Sequence, residues 1–509
     1  MALKMIRVRR HLRSGHDPLH LLISTMALGI VVIAIIADST LLLARSNEAA
    51  IPRNLLLQIG LLGVFWWWST LRGGTFLNAP FVFVLAIFFW HSSYLAGRYL
   101  HLDPLFEYSG IFLTYGQEFV PAATGLISMC MALAVVGSVI AFGQRILETP
   151  ALGRQIVSRN PHGTPAVHRY AMVLFGAYVL LTVVYLLKEG AAPQDYLDTY
   201  TLASGSVLYR VYQMTKFLGV PFIALLIATA DNKMSATLAY AGSAFLVFTS
   251  LLSGARSMPF LYCATVLIAI DYFRKRVPFS AIVAVIFLAS AASSVITHAR
   301  YAYGTGLQMF TFSRGDEQIS LWGLFWSCGA TTSTVLRTMA FMGRTGLQYG
   351  RSFADAFVYV IPGPIVKMIV PYWTVDPPSN WLISQSADTV AGEGLGYSLV
   401  AEVFLNFGVW GCLLFLVIGW LIAYQYFGYR FRRDIFAALQ SLNLVVLLSL
   451  HLRNDSITYV RVLIWGALVI WFARVIDGRS RARITERVQP SDDLARPRTI
   501  PSPAPRGAA

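Results

Sequence analysis

Residues 121–143 read PAATGLISMCMALAVVGSVIAFG, a stretch without one charged side chain. As an α-helix rising about 1.5 Å per residue, a run of that length crosses the roughly 30 Å hydrocarbon layer of a bilayer. No water is at hand in lipid to satisfy open backbone groups, so the stretch is predicted to be helical throughout. Apolar runs of spanning length recur at 19–43, 54–71, 78–97, 169–188, 212–230, 233–252, 258–273, 278–298, 398–427, 435–452 and 457–475. Together they predict an all-α, polytopic integral membrane protein with about twelve transmembrane helices.

Composition agrees. Apolar residues make up 56% of the 509 and charged residues 13%, more apolar surface than a soluble core of this size hides. The net charge of +15 is spread in short clusters between apolar runs, which argues for orientation in a membrane and against nucleic acid as a partner. MALKMIRVRRHLR at the N-terminus, the 144–168 loop, RKR at 274–276 and YRFRR at 429–433 fall on one side if both termini are cytoplasmic. The first apolar run is too long for a signal-peptide core and reads as an uncleaved span. Cys130, Cys263, Cys328 and Cys412 form neither a disulfide framework nor a CxxC pattern, so no metal and no cofactor is expected.

Residues 1–477 read as the membrane domain, and the Arg-, Pro- and Ser-rich 478–509 as a disordered cytoplasmic tail. Residues 299–397 form a large periplasmic loop between spans nine and ten. Short helices are expected within it, in WGLFWSCGATTSTVLRTMAFM and from GRSFADAFVYV onward, with proline breaks between.

Arginine is the anomaly of the outer side. Arg256, Arg300, Arg314, Arg337, Arg344, Arg351, Arg453 and Arg461 all map there or just beneath the surface, against the usual charge bias. A guanidinium stays charged and grips phosphate bidentately, so several converging in a partly buried cavity suit a lipid-linked diphosphate. The plainer role is snorkelling to headgroups or pairing with Asp316, Glu317, Asp355, Asp388 or Asp455. Arg256 in SGARS, Arg300 in THARYAYG and Arg453 in HLRNDS stand out, each at a helix end beside small or polar residues.

A second signal is GEGLGYSLVAEVFLNFGVWG at 392–411, where Glu402 and Asn406 lie one helical turn apart and share a face. An ionisable side chain just inside a span is a functional candidate by default. Its plainer role is an ion pair with a neighbouring arginine. Gly408 and Gly411 are expected to allow close helix packing.

The order GRSFADAFVYVIPGP, a proline-broken stretch, then G-E-G-x-G-Y-S-x-x-A-E-x-x-x-N-F-G-x-x-G resembles the O-antigen and exopolysaccharide repeat-unit polymerases of the Wzy type. The resemblance runs from SGARS to RNDSITYVR, about the second half of the chain. It implies a metal-independent glycosyltransferase that polymerises undecaprenyl-diphosphate-linked oligosaccharides on the periplasmic side of the bacterial inner membrane. Its partners would be the lipid-linked donor and acceptor, membrane lipid and a chain-length regulator.

On that reading the catalytic residues are Glu402, Arg256, Arg300 and Arg453. Arg351, Arg337, Arg461, Asn406, Tyr301 and Asp388 bind substrate. Glu402, ahead of Asp388 and Glu393, would take the proton from the acceptor hydroxyl, while arginines stabilise the departing diphosphate. Tyr301, Tyr303, Trp373 and Trp381 would stack on sugars or anchor at the interface.

Three other readings are weaker. Lipid A-core ligases share the architecture but resemble one another in using an outer-loop histidine; none lies between Tyr301 and Tyr397, leaving His298 and His451 at span ends. A lipid-linked-sugar flippase would tend to show related halves, and no internal repeat is visible. Glycosyltransferases with monophosphate lipid donors resemble one another in keeping catalytic acids in the first outer loop, where this chain has only Glu48.

Overall fold

A computed structural model describes residues 18–45, 47–73, 75–101, 117–148, 164–189, 206–252, 257–285, 288, 329, 331–361, 363–370, 377–385, 397–432 and 434–488. Among the described residues there is no strand. The α-helices are α1 Pro18–Arg45, α2 Ile51–Gly73, α3 Ala79–His91, α4 Ser93–Tyr99, α5 Val120–Glu148, α6 Pro165–Glu189, α7 Val207–Thr215, α8 Gly219–Thr229, α9 Lys233–Leu252 and α10 Ser257–Phe273. They continue with α11 Thr332–Thr345, α12 Arg351–Val358, α13 Gly363–Ile369, α14 Pro378–Gln385, α15 Leu399–Phe407, α16 Leu413–Arg432, α17 Ile435–His451 and α18 Ser456–Val488.

Seven helical stretches among the described residues are long and apolar enough to span a membrane, eight if α3 and α4 count as one broken span. Lys216–Thr229, Met258–Phe273 and Ile435–His451 are apolar but shorter, so among the described residues fewer than twelve helices meet the length requirement. Two expected spans are interrupted. The 78–97 run bends by 56° between α3 and α4, beside the polar Ser92–Ser93 pair. The 398–427 run is α15, a 3-10 turn Gly408–Cys412 and α16. Gly408 makes that turn possible at φ +59°, a left-handed conformation that costs a side-chain-bearing residue roughly 1 kcal/mol or more. The 278–298 run lies mostly outside the described residues.

Small residues bring α5 and α16 together. Gly137 backs onto the Leu416 carbonyl and Gly419 onto the Ala134 carbonyl, and a Cβ at Gly419 would lie 2.2 Å from that oxygen. In a bilayer, where apolar side chains gain nothing by leaving lipid, such backbone approach is a main source of helix attraction. A buried polar chain joins α1, α2 and α5: Asn54 Nδ2 donates to Asp38 Oδ2 at 2.9 Å, and Gln58 Nε2 donates to Ser128 Oγ at 2.6 Å. Toward lipid, α6 presents exposed Val173, Leu180 and Leu187 at seven-residue spacing, one apolar stripe.

Helix α18 continues to Val488, eleven residues beyond Asp477, so the first part of the expected disordered tail is helical. Arg481 Nε donates to Asp477 Oδ2 at 2.8 Å, an i,i+4 pair that favours continuing the helix. Residues 489–509 lie outside the described residues. Within 299–397 the described residues form the short helices α11 to α14, as expected of that segment.

Candidate functional site

Helix α15 begins where the sequence provides a cap: Ser398 is extended, and its side chain accepts the Ala401 N–H. The same hydroxyl meets His91 Nε2 at 2.7 Å, while His91 Nδ1 faces the Ile87 carbonyl at 3.1 Å. A carbonyl only accepts, so Nδ1 carries a hydrogen and Nε2 is left to accept from Ser398. The Thr332 hydroxyl donates to the His91 carbonyl. The ends of α3 and α11 are thereby fixed to the start of α15.

One turn on, Glu402 and Asn406 occupy the same buried face, as their spacing predicts. Glu402 is 0% exposed. Ser352 Oγ, on α12, donates to Glu402 Oε1 at 2.6 Å and in turn accepts from Asn406 Nδ2 at 2.8 Å. Ser456 reaches the carboxylate twice, its hydroxyl donating to Oε1 and its backbone N–H to Oε2 at 2.8 Å. Ser456 is the first residue of α18, so the carboxylate takes up an otherwise open amide at the positive end of the helix dipole. His451 Nε2, at the end of α17, lies 3.9 Å from Oε2, and its ring stacks on Tyr459 with centroids 5.5 Å apart.

Glu402 therefore joins α12, α15 and the α17–α18 corner. Its described partners are hydroxyls, an amide and an imidazole, not the arginine its plainer role required. Being wholly enclosed, it presents no face to an incoming hydroxyl in this conformation. Asn406 Oδ1 and both His451 ring nitrogens are buried without a hydrogen-bond partner.

Four of the described arginines lie on or beside the elements of this junction. Arg453, half-buried in the α17–α18 turn, lies over the Trp90 ring at 5.3 Å. Arg461, buried one turn into α18, lies 4.9 Å from the Tyr359 ring centroid just after α12, hydrogen-bonds that tyrosine, and sits 5.6 Å from Trp465. Exposed Arg351 opens α12 beside Ser352. Arg337 is half-buried on α11, which packs against α15. Trp381 sits half-buried on α14, whose Ser379 donates to Asp455 Oδ2 at 2.8 Å. Tyr397 is buried against Thr338 at 3.1 Å, and burial raises its hydroxyl well above the ordinary range, so it serves as a neutral hydrogen-bonding group.

Arg256, Arg300, Tyr301 and Asp388 lie outside the described residues, as do Arg314, Tyr303, Trp373, Glu393 and His298. Among the described residues no group of three or more His, Cys, Asp or Glu could hold a metal ion. Sequence reasoning missed Ser352, Ser456 and His91. Ser352 stands inside the GRSFADAF motif and Ser456 beside Arg453, but lone serines give no signal of their own.

No curated protein and no solved structure matches the chain. The family model for O-antigen polysaccharide polymerase Wzy matches residues 79–477. That match takes in every helix at the Glu402 junction and most of the membrane domain, and the chain accordingly belongs to the O-antigen polysaccharide polymerase Wzy family.

Proposed function

We propose that the protein polymerises undecaprenyl-diphosphate-linked oligosaccharide repeat units on the periplasmic side of the inner membrane, without a metal ion or nucleotide sugar. Both termini are cytoplasmic in this reading, and the active site lies at the bundle end where α3, α11, α12, α15 and α18 meet. Family membership supports repeat-unit polymerisation. The observation that carries the site is the Glu402 junction, which gathers the elements bearing Arg351, Arg453 and Arg461 at one end of the bundle.

In the reaction an acceptor sugar hydroxyl attacks the anomeric carbon of the donor. The bond from that carbon to the diphosphate oxygen breaks, and the electron pair leaves with the lipid diphosphate. Arginines aimed at that oxygen lower the barrier, because the charge they meet is largest at the moment of departure. Arg256, Arg300 and Arg453 take this role, with Arg351, Arg337 and Arg461 holding the remaining phosphate oxygens. Asn406 orders the acceptor side through Ser352, and Tyr301 stacks on a sugar.

Glu402 is reassigned from base to positioning residue, because its oxygens are occupied by donors and it is fully enclosed. The proton then falls to Asp388 or Glu393 in the 299–397 segment. A chain-length regulator is the proposed protein partner. Arg256→Ala and Arg300→Ala are each expected to abolish polymer in cells while leaving membrane insertion intact, read by glycan gel and membrane fractionation. Wild-type polymer from both variants would remove the diphosphate clamp from this account.

A further inference from the structure

The end of the bundle away from Glu402 carries a second feature. Helix α17 runs from Asp434, its N-cap, to His451 beside Glu402, about 25 Å at 1.5 Å per residue. At the Asp434 end, the last turns of α10 and α16 and the segment before α3 line an open-sided cavity of about 270 Å³. That volume is roughly nine water molecules' worth, enough for a phosphate with a small polyol.

Its walls are cationic. Arg274, Lys275, Arg276 and Arg430 line it, against the single carboxylate of Asp271. Asp271 is tied at Oδ1, which accepts the Val277 N–H at 3.0 Å, and its carboxylate also acts on Arg276 and Arg430, offsetting one of the four positive charges. Arg274 is tied too, donating to the Ile227 carbonyl at 2.6 Å and to the Ala230 carbonyl at the end of α8. Lys275 and Arg276 are exposed at the mouth, and Arg430 is half-buried. One wall is rigid and aromatic: the Tyr272 ring lies 5.8 Å from Tyr429 at 21°, and Tyr429 donates to the Tyr272 carbonyl at 2.6 Å.

Charge clusters that only orient a chain in the membrane need lie at the surface. These surround a concavity where α10 and α16 end, and basic pockets between transmembrane helices take anionic headgroups. We propose that this cavity binds the phosphate of an anionic membrane lipid, with Arg430, Arg276 and Lys275 as its ligands. A lipid is favoured over free phosphate because the exposed cations stand at the mouth, where a headgroup enters with its acyl chains left in the bilayer.

The test uses full-length protein in nanodiscs of phosphatidylcholine containing a minority of phosphatidylglycerol, with retained lipid counted by native mass spectrometry. Wild type is expected to keep phosphatidylglycerol at least tenfold above its share of the disc. Arg430→Gln and the exposed Arg276→Gln should each cut that enrichment fivefold or more, and Arg430→Lys should preserve most of it. A parallel melt in lipid-free micelles adds inorganic phosphate: enrichment of lipid without a shift assigns the headgroup, and a shift without enrichment overturns the lipid source in favour of a free anion. Neither effect, or enrichment unchanged in both Gln variants, overturns the site. Polymer formation enters none of these readouts, so failure here leaves the proposed activity untouched.

Discussion

Glu402 accepts hydrogen bonds from residues 50 and 54 positions away in sequence, inside a fully buried pocket. Removing the carboxylate strands the Ser352 hydroxyl and the Ser456 hydroxyl and amide, and each buried donor left open costs on the order of 1–3 kcal/mol. Glu402→Ala is therefore expected to lower the thermal midpoint in detergent by several degrees and to abolish polymer, with Glu402→Gln intermediate in both. A loss of polymer with an unchanged midpoint would make Glu402 a chemical participant instead. The His451 ring makes no hydrogen bond but stacks on Tyr459, so His451→Phe is expected to retain polymer in a cell-based glycan ladder. Loss of polymer with the fold intact would point to imidazole chemistry. At this scale the shared face of Glu402 and Asn406 was legible, because i,i+4 spacing is local geometry. The partners were not: Ser352 and Ser456 meet Glu402 only through tertiary packing, which no local pattern encodes.

Helices meet here through small residues as well as apolar stripes. Gly419→Leu would drive a side chain into the Ala134 carbonyl, and separating α5 from α16 should cost at least about 1–3 kcal/mol. The check is a detergent melt, with reduced membrane yield as the in-cell counterpart; an unchanged midpoint would mean that the two helices do not need their close approach. Runs such as 121–143 were legible as helices because apolar length alone dictates them in lipid. The breaks were not. Residues 78–97 and 398–427 each read as one apolar run, and only His91–Ser92–Ser93 marks the 56° bend and Gly408–Gly411 the 3-10 turn. The extension of α18 past Asp477 was hidden by an Arg-rich composition that also forms helix when ion pairs such as Arg481–Asp477 align.

Across the whole molecule two ends differ in chemistry: hydroxyls, a carboxylate and stacked arginines around Glu402, and a cationic cavity near Arg430. The proposed orientation puts the first outside and the second inside. In a chain with its four native cysteines replaced, Arg344→Cys should label with a membrane-impermeant maleimide in spheroplasts, and Lys275→Cys only after lysis; the reverse pattern would invert the topology. Polytopic architecture was legible because lipid imposes it on every long apolar run. The number of full spans was less so, since three apolar helices are short and residues 278–298 lie mostly outside the described residues. The most direct measurement is to incubate purified protein with an undecaprenyl-diphosphate-linked repeat unit from its own host, without nucleotide sugar or lipid A-core, and resolve the products by size. A ladder spaced by one repeat unit is the predicted result. Products that form only when lipid A-core is added, or no product at all, would contradict repeat-unit polymerisation by this chain.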